Sequence, residues 1–480
     1  MAANAPPASR ARNVLLICLD TVRADFFAEY AKRLQRLSDV TFTGCRAASS
    51  WTVPSHASMF TGELPSKHGV HTYNRQFDTI DRDETFLSEL DGYTTFGVSA
   101  NAFVSPTYGF DSWFDEFAAV EPKHRYPEAT SLNEVGQETD GSEKYTEFLR
   151  AAMADDHPIE SLKNTAYGVL HQTTKTGPVP KLVDNGGSAV LDATKRRADD
   201  ADEPFFGFCN LMDAHTPLQP CRAYDSELLR GVPNSWTSEQ YGVWELMNGE
   251  DEHEDYWRIR RQVYGATIEY IDRLLSTFVH DVLDSSRRET TIIVTADHGE
   301  NHAEEADDYL ANHKSSLSEG LLHVPLCIIN PPAGYEPEET GYVSQLELGR
   351  LVTGLANGET PDVSHDEIPA ELVGLSAGPE PPENREYWDR MMRCAYEEGE
   401  KTVWDSLGTR TEYELDPSRL SWQRKVESDE DGADEPDDES PFFADAIAEA
   451  KATAQSEDRD ESDDEIDAST ESRLRELGYL

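Results

Sequence analysis

The sequence predicts an α/β protein with a mostly parallel sheet flanked by helices, and three observations predict it. Short apolar runs recur at Asn13–Leu19, 93–99, Phe205–Leu211, Thr290–Thr295 and 324–329. They are continuous rather than alternating, as strands covered on both faces are. Helix-compatible stretches lie between them. The clearest is 260–283, where Val263, Ile268, Ile271, Leu274, Leu275 and Phe278 fall near helical spacing. Strands alternating with helices favour a parallel sheet. At 480 residues the chain can bury a large core; length alone suggests two or three domains, although α/β enzymes often exceed that as one unit.

Charge narrows the function. The chain carries 93 Asp+Glu against 42 Lys+Arg, a formal net charge of −51, and only 38% apolar residues. Such a surface repels nucleic acid and anionic membranes. The acidity is spread along the chain and interrupted by apolar runs, which fits a folded enzyme adapted to high salt, where screening relieves self-repulsion. The six cysteines form no CxxC pair, and Cys18, Cys209 and Cys327 sit in apolar runs, so no disulfide framework is expected. The opening NVLLICL is too short for a signal sequence or a membrane span, so a cytoplasmic location is expected.

The expected organisation is a catalytic α/β domain over 1–377, with a polar insertion at about 122–202 that reads as a lid. A small antiparallel unit follows at 378–425, with strands at 393–395, 402–405 and Arg410–Leu415. Residues 426–470 are mostly Asp, Glu, Ser and Ala and read as a disordered or loosely helical tail. The terminal helix at 471–480 regains amphipathicity and could dock back.

Chemistry-bearing residues follow the strands. Asp20 follows the first run, Asp213 and His215 the run ending at Leu211, and Asp297 and His298 the run ending at Thr295. In open α/β sheets the functional crevice lies at the carboxyl ends of strands. Any one of these acids could be a helix N-cap; together they suit one divalent ion, Mn, Zn, Mg or Ca. Pro54 fits the first position of a helix, which places Thr52 just before it, near free N–H groups and a positive dipole end. A hydroxyl beside a metal becomes a nucleophile. Ser55 is read as bonding the first helical turn, and Lys67 and His68 as either shaping a turn or reaching the site. His302 is read as lying in a solvated loop and His323 as structural. Asp213 is read as a ligand or as the group that orients His215.

Several segments resemble the sulfatase family: LDTVRAD at 19–25, WTVPSHASMFTG at 51–62, LPSKHGV at 64–70 and YGFDSWFDEF at 108–117. So do LMDAHTPL at 211–218, TADHGE at 295–300, LLHVPL at 321–326 and the terminal LRELGYL. The resemblance implies an alkaline-phosphatase-like α/β core with a small C-terminal antiparallel subdomain. It implies one divalent metal held by Asp20, Asp297 and His298, with Thr52 as nucleophile and fourth contact. His215 and Lys314 match groups that hold substrate oxygens and assist the leaving group. His56, His313 and Asn101 are implied substrate contacts. Two departures matter. Sulfatases proper carry Cys or Ser at the position of Thr52, converted to formylglycine, and threonine is not a known substrate for that conversion. The family's Lys and His after the GYTTFG segment are replaced by VSANAF, with Asn101 nearby. The expected substrate is a small-molecule or a glycan- or lipid-linked sulfate or phosphate ester. The alternatives are a phosphodiesterase, a phosphoglycerol- or phosphoethanolamine-type transferase, or an inactive anion-binding relative.

Overall fold

The structure is a computed structural model. It describes residues 11–122, 124–126, 128–130, 142–174, 180–248, 253–429, 442–443, 445–456, 468–477 and 479. The strands in chain order are β1 (Asn13–Leu19), β2 (Val40–Arg46), β3 (Thr94–Ser99), β4 (Glu116–Ala119), β5 (Phe205–Leu211) and β6 (Thr290–Thr295). They continue with β7 (Asn301–His302), β8 (Ala311–Asn312), β9 (Leu326–Ile329), β10 (Glu338–Ser344) and β11 (Glu367–Leu372). The last four are β12 (Met392–Glu397), β13 (Glu400–Asp405), β14 (Arg410–Leu415) and β15 (Gln423–Asp429).

Eight strands form one sheet in the order β10-β2-β9-β6-β1-β5-β3-β4, with β9 antiparallel to both neighbours and the other pairs parallel. Every residue of β1, β5 and β6 is buried, which explains why these strands read as unbroken apolar runs. Helices Gly187–Asp200 and Glu254–Ser285 pack on β5 and β6, and helix Leu348–Ala356 packs on β1 and on helix Thr52–Thr61. This is the α/β core expected from the sequence, with its antiparallel companion: β11 to β15 form a five-stranded antiparallel sheet in sequence order. That sheet starts at Glu367 and ends at Asp429, wider on both sides than 378–425.

Among its described residues, the 122–202 stretch holds three helices. The last, Gly187–Asp200, buries Ala189, Val190, Leu191 and Ala193 against the sheet and belongs to the core layer. Within the acidic tail, helix Ile447–Ser456 packs Ile447, Ala450 and Ala454 on Val373 and Met391; most of the rest of the tail lies outside the described residues. The helix near the end spans Ala468–Glu476, earlier than 471–480, and docks through Leu474, with Tyr479 beyond it also buried. All six cysteines are free and buried. Among the described residues, no helix is long and apolar enough to cross a membrane.

A buried ion cluster ties the two sheets together. Glu319 accepts from Arg46 of β2 at 2.9 Å, from Lys401 of β13 at 3.1 Å and from the Tyr396 hydroxyl of β12 at 2.7 Å. Burial alone pushes the Glu319 carboxyl up, but Arg46 and Lys401 outweigh it and bring it down to about 2. Its contribution is therefore complete above an unfolded-state value of about 4.3 and is lost as pH falls through about 2. Glu319→Gln leaves two buried cations facing a neutral group, so it is expected to cost about 3–5 kcal/mol at neutral pH. A urea midpoint within error of wild type, at fixed salt, would remove this cluster from the account of stability.

Candidate active site

The parallel register sets the site. β1 pairs with β5 up to Leu19 opposite Leu211, and with β6 up to Cys18 opposite Thr295. The next residues on all three strands therefore emerge at one edge, which brings Asp20 to Asp297 and His298. One ligand atom from each lies within 4.8 Å of the others, and all three residues are fully buried.

The hydrogen bonds leave these atoms open for a cation. Asp297 Oδ1 accepts from the backbone N–H of Thr21 at 3.2 Å and of His298 at 2.9 Å, while its Oδ2 has no partner. His298 Nδ1–H donates to the Gly299 carbonyl at 2.8 Å, which fixes the tautomer and leaves the Nε2 lone pair unpartnered. Asp20 Oδ2 accepts from Asn101 Nδ2 at 2.6 Å, and its Oδ1 has no partner. Burial, and then the charge of Asp297, pushes the Asp20 carboxyl well up. Two dry carboxylates and an imidazole lone pair aimed at one point are costly without a cation between them. These residues fit the implied divalent ion.

Thr52 lies beside this trio. Asn101 Nδ2 reaches its Oγ1 at 3.5 Å, and its carbonyl accepts from His56 Nδ1 at 2.9 Å. The helix begins two residues earlier than expected: Thr52 is its first residue, Trp51 is the N-cap, and Pro54 is third. Proline is tolerated there because the first N–H groups of a helix have no intrahelical partner.

The other expected residues divide. His56 Nε2 accepts from Asn210 Nδ2 at 3.0 Å, so both ring nitrogens are committed to protein and neither is left for substrate. Asn101 likewise spends its amide on Asp20 and Thr52. His215, His313 and Lys314 line a cleft of ≈ 260 Å³. His215 Nδ1–H donates to the Thr216 carbonyl at 2.5 Å, and burial brings this imidazole down to about 4. Lys314 Nζ donates to the carbonyls of Ser376 and Ala377; burial and Arg75 bring it down to about 7. Asp213 joins neither the ligand trio nor the His215 ring; its Oδ1 accepts from the N–H of Asn185 at 3.0 Å. His302 is buried rather than solvated, against Arg260 Nη1 at 2.6 Å. His323 is structural, between the Thr43 carbonyl and the Ser421 N–H. Ser55 bonds the Ser49 carbonyl rather than the helical turn. His68 holds Ser58 and the Val70 N–H, and Lys67 turns to Asp445.

Sequence reasoning missed three groups. Asn210 is the one amide inside the apolar run of β5, and that isolation was its only signal. Glu300 is buried next to His313, with Nδ1 to Oε2 at 3.9 Å. Tyr479 places its hydroxyl 2.7 Å from His215 Nε2. Burial and the charges of Asp20 and Asp297 push this phenol well up, and the neighbouring Thr52 hydroxyl pulls it back.

Known proteins match the chain in family and in fold. The sulfatase family model matches residues 12–358. No curated protein sequence matches the chain. Among solved structures, the phosphonate monoester hydrolase of Agrobacterium radiobacter is similar at 16% identity over 86% of this chain and 91% of that one, with a TM-score of 0.55. The phosphonate monoester hydrolase from Silicibacter pomeroyi is similar at 14% identity over 84% and 89%, with a TM-score of 0.52. A protein solved with its substrate D-glucosamine-2-N,6-O-disulfate is similar at 13% identity over 84% and 91%, with a TM-score of 0.51. The chain belongs to the sulfatase family and is a sulfuric or phosphoric ester hydrolase.

Proposed function

We propose that the chain cleaves phosphoric esters with Thr52 as nucleophile, at a site that Asp20, Asp297 and His298 build for one divalent ion. The observation that carries this reading is the convergence of three buried, unpartnered ligand atoms beside the Thr52 hydroxyl. Two carboxylates, an imidazole and a hydroxyl suit Mn, Mg, Ca or Zn. Bound there, the ion would acidify the Thr52 hydroxyl and offset charge on the ester oxygens.

The protein's own groups do the rest. Asn101 bridges Asp20 and Thr52 and holds the nucleophile against the ligands. His56, braced by Asn210, fixes the Thr52 carbonyl and with it the start of the helix. Both are positioning residues. Thr52 Oγ1 gives up its proton to water and forms a bond to phosphorus as the bond to the leaving oxygen breaks on the opposite side. Lys314 and His313 face the ester from the cleft. The hydrogen-bonded His215–Tyr479 pair is assigned to protonate the leaving oxygen. Water then attacks the phosphothreonine and frees Thr52.

Thr52 favours phosphorus because it lacks the Cys or Ser that sulfatases proper oxidise. The family match favours a second reading, sulfate ester hydrolysis by the same residues. Two of the similar structures are phosphonate monoester hydrolases, and a phosphonate therefore belongs among the test substrates. The test is a panel of aryl sulfate, phosphate monoester, phosphate diester and phosphonate monoester. The protein is stripped with chelator and reloaded with Mn, Mg, Ca or Zn. Metal-dependent turnover is expected, with higher kcat/KM on a phosphorus ester. A higher value on aryl sulfate establishes the second reading. No turnover of any ester, by folded protein with bound metal, overturns both.

A further inference from the structure

We propose that helix Ala468–Glu476 carries a working part of the active site, in which Leu477 and Tyr479 wall the leaving-group cleft and select esters of uncharged, ring-bearing alcohols over those of polyanionic ones. This deepens the proposed hydrolase reading and rests on it.

The first observation is how firmly the segment is built in. Arg473 Nη2 donates to the Ala100 carbonyl at 3.2 Å, Leu474 is buried, and the Tyr479 N–H donates to the Leu474 carbonyl at 2.9 Å. The Tyr479 ring stands edge-on to Phe103, with centroids 4.8 Å apart, and Phe103 stands edge-on to Trp51, the residue before Thr52. Its hydroxyl donates to His215 Nε2, the nitrogen left as acceptor once Nδ1–H is given to Thr216. The segment thus reaches the reacting centre through both its ring and its hydroxyl.

The second observation is the chemistry of the walls. At ≈ 260 Å³ the cleft admits a group smaller than a drug-sized ligand. Tyr241, Val243, Leu246 and Tyr256 line it together with Leu477 and Tyr479, offering faces on which a ring packs. Among the described residues, Lys314 is the only lysine or arginine in the lining, and its ammonium is already held by two backbone carbonyls. Glu239 adds a negative charge. A second sulfate or phosphate on the substrate would find no guanidinium fork and would meet that carboxylate.

The test compares kcat/KM for phenyl phosphate and glucose 1,6-bisphosphate in the metal-loaded full chain. The ratio cancels any change in folded fraction. Wild type is expected to favour phenyl phosphate. Tyr479→Ala is expected to lower the ratio about tenfold or more, while Tyr479→Phe, which keeps the ring, keeps most of it. A wild-type preference for the bisphosphate overturns the proposal. So does an unchanged ratio in Tyr479→Ala, or an equal rise on both esters, which would make the segment a plug. Calorimetric binding of phenylphosphonate tests the ring contact without turnover. Absence of turnover with binding weakened by Tyr479→Ala sinks the hydrolase reading alone. Binding that Tyr479→Ala leaves unchanged sinks this proposal.

Discussion

Thr52→Ala is expected to lower kcat by about 10⁴-fold or more, the scale on which enzymes lose turnover when a covalent nucleophile is removed. The rival explanation of Thr52 is an ordinary helix cap, whose loss would cost about 1 kcal/mol of stability and leave the chemical step intact. The fold gives the Thr52 side chain no capping bond. Trp51 is the N-cap, Thr52 is the first helical residue, and no side-chain cap bond is made at this helix start. The Thr52 hydroxyl instead faces Asn101, which also holds Asp20. The melting temperature of Thr52→Ala should therefore move little while turnover collapses. Thr52→Ser should keep partial activity, because the hydroxyl survives without the methyl that restricts its rotamer. Steady-state kinetics and a thermal melt on the three proteins check this. A Thr52→Ala enzyme with near-normal kcat would transfer the attack to water.

The second large effect is expected at Asp297, and its sign should depend on metal. Without an ion, Asp297 and Asp20 are two dry carboxylates aimed at one point, and each opposes the other's charge. Asp297→Asn relieves that repulsion and keeps an oxygen for the N–H groups of Thr21 and His298. The metal-free variant should thus melt above metal-free wild type. With an ion the order should reverse, because an anionic ligand is lost and ligand-linked stabilisation shrinks with affinity. Even outer-shell changes weaken metal affinity about 10- to 100-fold, so loss of this ligand should exceed that and activity should fall with it. Melts of both proteins with chelator and with saturating Mn test the crossing. Parallel curves, with Asp297→Asn lower by the same amount in both conditions, would mean that Asp297 only caps the turn at the end of β6.

What the sequence revealed, and what it concealed, follows from where each signal resides. β1, β5 and β6 are legible because strands buried on both faces leave unbroken apolar runs, and their register then delivers Asp20, Asp297 and His298 to one edge. β10, on the sheet edge, is only partly buried, and β15, on the edge of the small sheet, is largely exposed; both carry polar residues, such as the EETGYVS of 338–344, so no run marks them. Pro54 alone does not fix where its helix starts, because proline fits the third position as well as the first. The positioning contacts were illegible for a different reason. Asn210 meets His56 across 154 residues and Tyr479 meets His215 across 264, and no local pattern records such a pairing. His302 sits in a polar stretch but is buried by Arg260, a long-range contact that overrides its neighbourhood.

A covalent bond at Thr52 is the most direct sign of the proposed chemistry. Metal-loaded enzyme is mixed with its best ester, quenched in acid during turnover, and read by intact and peptide mass spectrometry. The expected result is a population carrying one phosphoryl or sulfuryl group, localised to Thr52 and absent from Thr52→Ala. Full turnover in water enriched with heavy oxygen, with no adduct at any quench time and with Thr52→Ala still active, would contradict it.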